Sequence, residues 1–218
     1  MPRDTSVVTP ERFAEGLTYA EFLAQATVNA DKFEHYHRTS PLTADDLAFF
    51  AEAVARPDGL AKIMAIAEAW CGDVYRELPT VARIAEASGA ELRIFLREQN
   101  PDIMDEFLSN EGQSRAIPVV VFYRRDHRYL THFTERAAVA HQDLADAQAA
   151  VTADLQLPAG TKLGTAPQDQ RQAFIAALIA RIEPRLPEWQ RAAIQEMRSL
   201  LATALKTTEA AAGARVTA

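Results

Sequence analysis

The sequence predicts an α/β domain carrying helical segments at both ends. Three observations lead there. The middle of the chain alternates β-type runs with helical ones. Both ends repeat apolar residues at three- and four-residue spacing, the period of a helix face. The composition, 48% hydrophobic and 24% charged over 218 residues, is that of a globular chain with a core. Such a length holds one full domain with attachments, or two very small domains.

At the first end, Tyr19, Phe22, Leu23, Ala26, Ala30 and Phe33 fall on one helix face, which the segment His35 to Pro41 is expected to break. Thr43 reads as the N-cap of a second helix, with Asp46 three residues on as its capping-box partner. Leu47, Phe50, Ala51 and Val54 make its stripe, and Pro57-Asp58-Gly59 a turn. Leu60 to Ala69 is a short apolar run with little helical period, the pattern of a buried strand. Val74, Leu78, Val81, Ala82 and Ala85 then mark a helix stopped by Gly89. Leu92 to Leu96 reads as a strand, and Pro101 to Leu108 as a short helix opened by Asn100-Pro101. Residues 112–116 are a loop. Pro118 to Tyr123 is strongly β, Arg125-Asp126-His127 a turn, Tyr129 to Phe133 the partner strand, and an Ala-rich helix follows from about Glu135.

The order β-α-β-α-β-β-α is an α/β unit. At the far end, Phe174, Ile175, Leu178, Ile179 and Ile182 share a face, Pro184 and Pro187 interrupt, and Trp189, Ile194, Met197, Leu201 and Leu205 form a second face. The two helices are expected to form a hairpin. Thr207 to Ala218 is small and polar and expected to fray.

The net charge of −7 keeps an acidic surface and argues against nucleic acid as the main partner. No apolar run approaches the roughly 20 residues of a membrane span. The opening Met-Pro-Arg-Asp-Thr shows no apolar signal segment, so a cytoplasmic protein is expected. Cys71 is the single cysteine. An intramolecular disulfide and a Cys-rich zinc site are therefore excluded, and any disulfide must join a second molecule.

Cys71 sits where the buried strand gives way to a helix, within Trp70-Cys71-Gly72-Asp73-Val74. Unpaired amides at a helix N-terminus stabilise negative charge, so the position is expected to lower the thiol pKa and favour the reactive thiolate. Asp73, two residues on, opposes that effect when ionised. Pro79 lies inside the helix and removes the donor to the carbonyl of Tyr75.

These residues resemble the active-site motif of the thioredoxin family: a strand, Trp-Cys-Gly-x-Cys, and a helix with a proline eight residues after the first cysteine. Trp70, Cys71, Gly72 and Pro79 stand in register, and Ile117-Pro118 opens a strand as the family's cis-proline does. The likeness covers roughly Leu60 to Gln148, and Trp-Cys-Gly-Asp is similar to a bacterial branch with helical extensions. It implies a thioredoxin-like domain at 59–150, an N-terminal helical extension at 1–58 and a C-terminal one at 151–218. It further implies that Cys71 is the nucleophile, Trp70 an aromatic shelf, Pro118 the cis-proline beside the sulfur, and Ile117 the residue whose backbone pairs with a substrate strand. With Gly72 and Asp73, these form the expected substrate-binding surface.

Two departures stand out. Val74 replaces the resolving cysteine, and Ala65 stands where the family has a buried acid. The expected function is thus a monothiol protein that exchanges disulfides through Cys71, with an external thiol as resolving agent. Its partners would be a low-molecular-weight thiol or a protein thiol or disulfide, without nucleic acid, membrane, metal or cofactor. The alternative is a redox-inactive thioredoxin fold that binds partners through the Trp70/Pro118 surface. Iron–sulfur binding by a dimer is a third, weaker idea, disfavoured by Trp70 and the missing glutaredoxin-like signature.

Other features have plainer readings. His35 and His37, at i and i+2, do not share a helix face and read as a solvated loop. Arg124, Arg125 and Arg128 read as a solvated hairpin tip. The terminal stripes are packing faces, over the core or between two copies in a homodimer.

Overall fold

Of the first four helices, three begin at a side-chain cap. The computed structural model describes residues 6–158 and 163–216. Thr9 caps α1 (Pro10–Ala14), accepting from the Arg12 amide. Thr18 and Glu21 form a capping box on α2 (Tyr19–Gln25). Asn29, at φ 60°, opens α3 (Ala30–Arg38). Thr43 and Asp46 box α4 (Ala44–Ala55), the partnership expected from sequence.

The single helix expected across Tyr19 to Phe33 is instead two. Ala26 is extended and Asn29 left-handed, and the Asn29 side-chain amide donates to the Ala69 carbonyl at 2.9 Å. A bond made 40 residues away helps hold the break, so no local period reveals it. Of the segment His35 to Pro41, the first four residues complete α3, with His37 Nε2 3.0 Å from Glu86 Oε1 and its ring stacked on Tyr19, and the expected break comes at Thr39 to Pro41. On α4 the buried residues are Asp46, Phe50 and Ala53, whereas Ala51 faces solvent.

The middle follows the expected order: β1 (Lys62–Ala67), α5 (Gly72–Ser88), β2 (Glu91–Leu96), α6 (Pro101–Asp105), β3 (Val119–Tyr123), β4 (Tyr129–Thr134) and α7 (Ala138–Asp154). α6 is shorter than its apolar run suggested. The sheet order is β2-β1-β3-β4. β1 and β2 are parallel, with Ile63 beside Leu92, while β1/β3 and β3/β4 are antiparallel. β1 is buried along nearly its whole length, which explains its unbroken apolar run.

By compactness the chain divides into two units, Met1–Arg136 with Ala193–Ala218, and Ala137–Ala192. In the first, the N-terminal helices share the core of the sheet: Phe13, Phe22 and Phe33 pack in one cluster with Met64, Ile66, Val74, Leu78, Val119 and Val121. Leu17 exchanges both backbone hydrogen bonds with Ile94, at 2.8 Å each, and so covers the outer edge of β2. α5 packs against α3 and α4.

The second unit contains α7, α8 (Gln168–Ile182) and the start of α9 (Leu186–Val216). α8 packs on α7. The expected α8–α9 hairpin face is not used as a whole, because Ile175 and Ile179 remain about half exposed while Phe174 and Ile182 are buried. Pro187 does not interrupt. It stands in the first turn of α9, where a missing N–H costs nothing. α9 extends through Thr207 to Val216, and the tail expected to fray ends in residues 217–218, which lie outside the described residues. Within the first unit, Ile194, Met197, Leu201 and Leu205 of α9 are buried as their stripe required. No described helix is long and apolar enough to cross a membrane.

Candidate functional site

The site is built where β1 ends. Glu68 to Trp70 turn the chain, with the Cys71 amide bonded to the Glu68 carbonyl at 3.1 Å, and Cys71 becomes the N-cap of α5. Its own carbonyl accepts from the Tyr75 amide. The Asn29 amide pins the Ala69 carbonyl from the other side, so the α2–α3 connection braces this turn. Trp70 is 54% exposed, with the Arg97 guanidinium 5.0 Å above its ring. Arg97 also donates to the Arg115 carbonyl, at 3.1 Å, in the loop that leads to Ile117.

The Ile117–Pro118 peptide bond is cis, and both residues are buried. The Cys71 thiol donates to the Ile117 carbonyl with Sγ 3.6 Å from the oxygen. The Pro118 carbonyl in turn accepts from the Glu135 amide at 2.7 Å. The Cys71 sulfur thus meets Ile117 from 46 residues away, with Trp70 and Gly72 its neighbours in the chain, Pro118 next to Ile117, and Asp73 on the first turn of α5. A Cβ built on Gly72 would lie 3.2 Å from Arg76 Nη1, so the guanidinium of Arg76 lies close over the helix start.

The electrostatics correct one expectation. Burial pushes the Cys71 thiol up, and this outweighs the lowering by the Val74 and Asp73 amides; the Asp73 charge adds to the rise and Arg136 opposes it. The helix N-terminus acts in the anticipated direction, but the half-buried sulfur loses more hydration than the amides return. Val74 and Ala65, the positions at which the resemblance implies a second thiol and an acid, are fully buried.

Three contributors were not foreseen from the sequence. Arg136, in the turn after β4, bonds Asp73 Oδ2 and Glu135. No local signal could announce a pairing 63 residues apart. Glu77, one helical turn beyond Asp73, is 4% exposed. Its carboxyl is pushed well above the usual range by burial, with Asp73 and Glu196 adding and Arg76 and Arg136 opposing. Its place three residues after Val74 and four before Val81, on the apolar stripe of that helix, was the available clue. Asn29 is the third. Among the described residues, no three His, Cys, Asp or Glu side chains form a metal-holding group.

A family model described as thioredoxin matches residues 16–150. The match begins well before Leu60, so α2, α3 and α4 fall inside it. Among solved structures, a crystal structure of an HIV epitope scaffold is 16% identical with a TM-score of 0.52, covering 91% of this chain and 99% of that one. A Pseudomonas aeruginosa protein of unknown function is 19% identical with a TM-score of 0.51, covering 82% of this chain and 99% of that one. At such identities the likeness concerns the fold. No curated protein matches the chain.

Proposed function

The chain belongs to the thioredoxin family, and from that premise we propose that it is a monothiol member exchanging disulfides through Cys71. The observation that carries the reading is the contact between the Cys71 sulfur and the Ile117 carbonyl, at the mouth of the Pro118 turn and beside the exposed Trp70. An extended peptide or a small disulfide laid along Ile117 would present its sulfurs to Sγ, with main-chain hydrogen bonds holding it.

The step balances without an added oxidant. Cys71 loses its proton to solvent, and its thiolate attacks one sulfur of a disulfide. The old S–S bond breaks, its far sulfur leaves as a thiolate that takes up a proton, and a mixed disulfide on Cys71 remains. An external thiolate then attacks the partner's sulfur of this mixed disulfide, forms the new disulfide with it, and releases Cys71 as a thiolate that takes up a proton. Val74 cannot do this, so the resolving thiol comes from outside. A cytoplasmic setting, where small thiols are kept reduced, suits this requirement.

Because burial raises the thiol pKa, exchange is expected to be slow at neutral pH and to accelerate as the pH rises. The test is incubation with an oxidised small thiol, read as a mixed disulfide by intact mass, then release by the reduced thiol. Cys71→Ser is expected to abolish both steps and keep the circular dichroism spectrum. Exchange surviving in Cys71→Ser, or no adduct on the wild type at any pH, would overturn the proposal.

A second reading, a redox-inactive module that binds partners through the Trp70/Pro118 surface, is favoured by that same rise in thiol pKa and by the apolar residues at Val74 and Ala65. Partner binding that persists in Cys71→Ser, with a wild-type thiol that resists alkylation up to high pH, would select it.

A further inference from the structure

We propose that Arg136 is a positioning residue for the Cys71 site: it fixes the Asp73 carboxylate on the first turn of α5, two residues from the cysteine, and balances its charge. The inference rests on the reading of Cys71 as the reacting group, and it concerns a residue that neither motif nor spacing singled out.

The geometry carries it. Arg136 follows β4 directly, after Thr134 and Glu135, and its Nη2 bonds Asp73 Oδ2 at 2.5 Å. The same nitrogen lies 2.7 Å from Glu135 Oε1, which steadies the guanidinium. Both ends of the pair are largely buried, with side-chain exposures of 15%. Charges in such a place are screened far less than surface ones. Arg76, on α5, approaches the other Asp73 oxygen only to 3.7 Å, so Arg136 makes the closer contact.

The backbone gives this pair leverage. The Glu135 amide is bonded to the Pro118 carbonyl at 2.7 Å, while the Cys71 thiol bonds the Ile117 carbonyl one residue earlier. Arg136 is thus one residue from a strut on the Pro118 turn and reaches back to the helix that carries the cysteine. The charged groups acting at the thiol are Asp73, which raises its pKa, and Arg136, which lowers it. Arg76, Glu77 and Glu135 complete the surrounding cluster.

The test is the pH dependence of Cys71 alkylation by iodoacetamide, a neutral probe, followed by intact mass. Arg136→Met is expected to raise the apparent thiol pKa, lowering the rate at neutral pH about threefold to tenfold, and Asp73→Asn to shift it the opposite way. The double variant should return near the wild type, and Arg136→Lys, which keeps the charge, should retain most of the wild-type profile. Opposite signs separate this role from a structural one, since loosening the helix would move both single variants in the same direction. Where Arg136→Met fails to fold, Asp73→Asn and Arg136→Lys still decide. Alkylation profiles unchanged in Asp73→Asn, or shifted alike in both single variants, overturn the role of Arg136 while leaving Cys71 as a reacting thiol. A thiol that no pH makes reactive in any variant overturns that reading as well.

Discussion

Replacing Glu77 by glutamine should convert a pH-dependent stability into a flatter one. The Glu77 side chain is buried within α5, near Asp73 and Arg76 of the same helix, Arg136 after β4 and Glu196 of α9. Burial raises its carboxyl pKa well above the unfolded value of about 4.3. Between the unfolded and folded pKa values, the folded protein holds one proton more than the unfolded chain. Stability then falls as the pH rises, by about 1.4 kcal/mol per pH unit for a single site. The contribution is fully present below the unfolded pKa and is lost as the pH passes through the folded one. A glutamine side chain would fill almost the same volume without a proton to lose. The two proteins should be similarly stable near about pH 4, and Glu77→Gln should gain on the wild type at each step above it. Urea unfolding followed by far-UV circular dichroism, at intervals from acid to mildly alkaline pH, measures the difference. The neighbouring charges are the same in both proteins and largely cancel in the comparison. Parallel stability–pH curves would refute the reasoning, since they would mean that Glu77 gains no proton on folding.

Val74→Cys is expected to form an intramolecular disulfide with Cys71 under mild oxidation, because the pair restores the family's spacing across the first turn of α5; loss of both free thiols with no dimer on a non-reducing gel would show it, and persistent free thiols would count against Cys71 as the N-cap of that helix. Asp46→Ala removes the capping-box acceptor of α4 and strips Arg198 of α9 of its partner on a fully buried carboxylate. The loss should be about 3–5 kcal/mol by urea unfolding, and a loss under about 1 kcal/mol would show that the ion pair does not anchor α9.

Strands and caps were legible because their causes are local. The β-branched run Val119 to Val121, the Gly89 stop at φ 80° and the Thr43/Asp46 box each declare themselves within a few residues. The cysteine motif was legible for the same reason, as four residues of one short segment. The break between α2 and α3 was not, since it is held by Asn29 on the Ala69 carbonyl. The α8 stripe was misread because period tells which residues share a face, not how much of that face finds a neighbour; Ile175 and Ile179 found none that buries them.

Local pattern alone carries the α/β order, the lone thiol, the valine at position 74 and the helix start on which Cys71 sits. The charge balance at that thiol is set by packing. Whether a sulfur is easily ionised depends on the water it loses and on the charges that surround it. Burial of Cys71, and Arg136 brought onto Asp73 by the turn after β4, arise only when distant segments pack together.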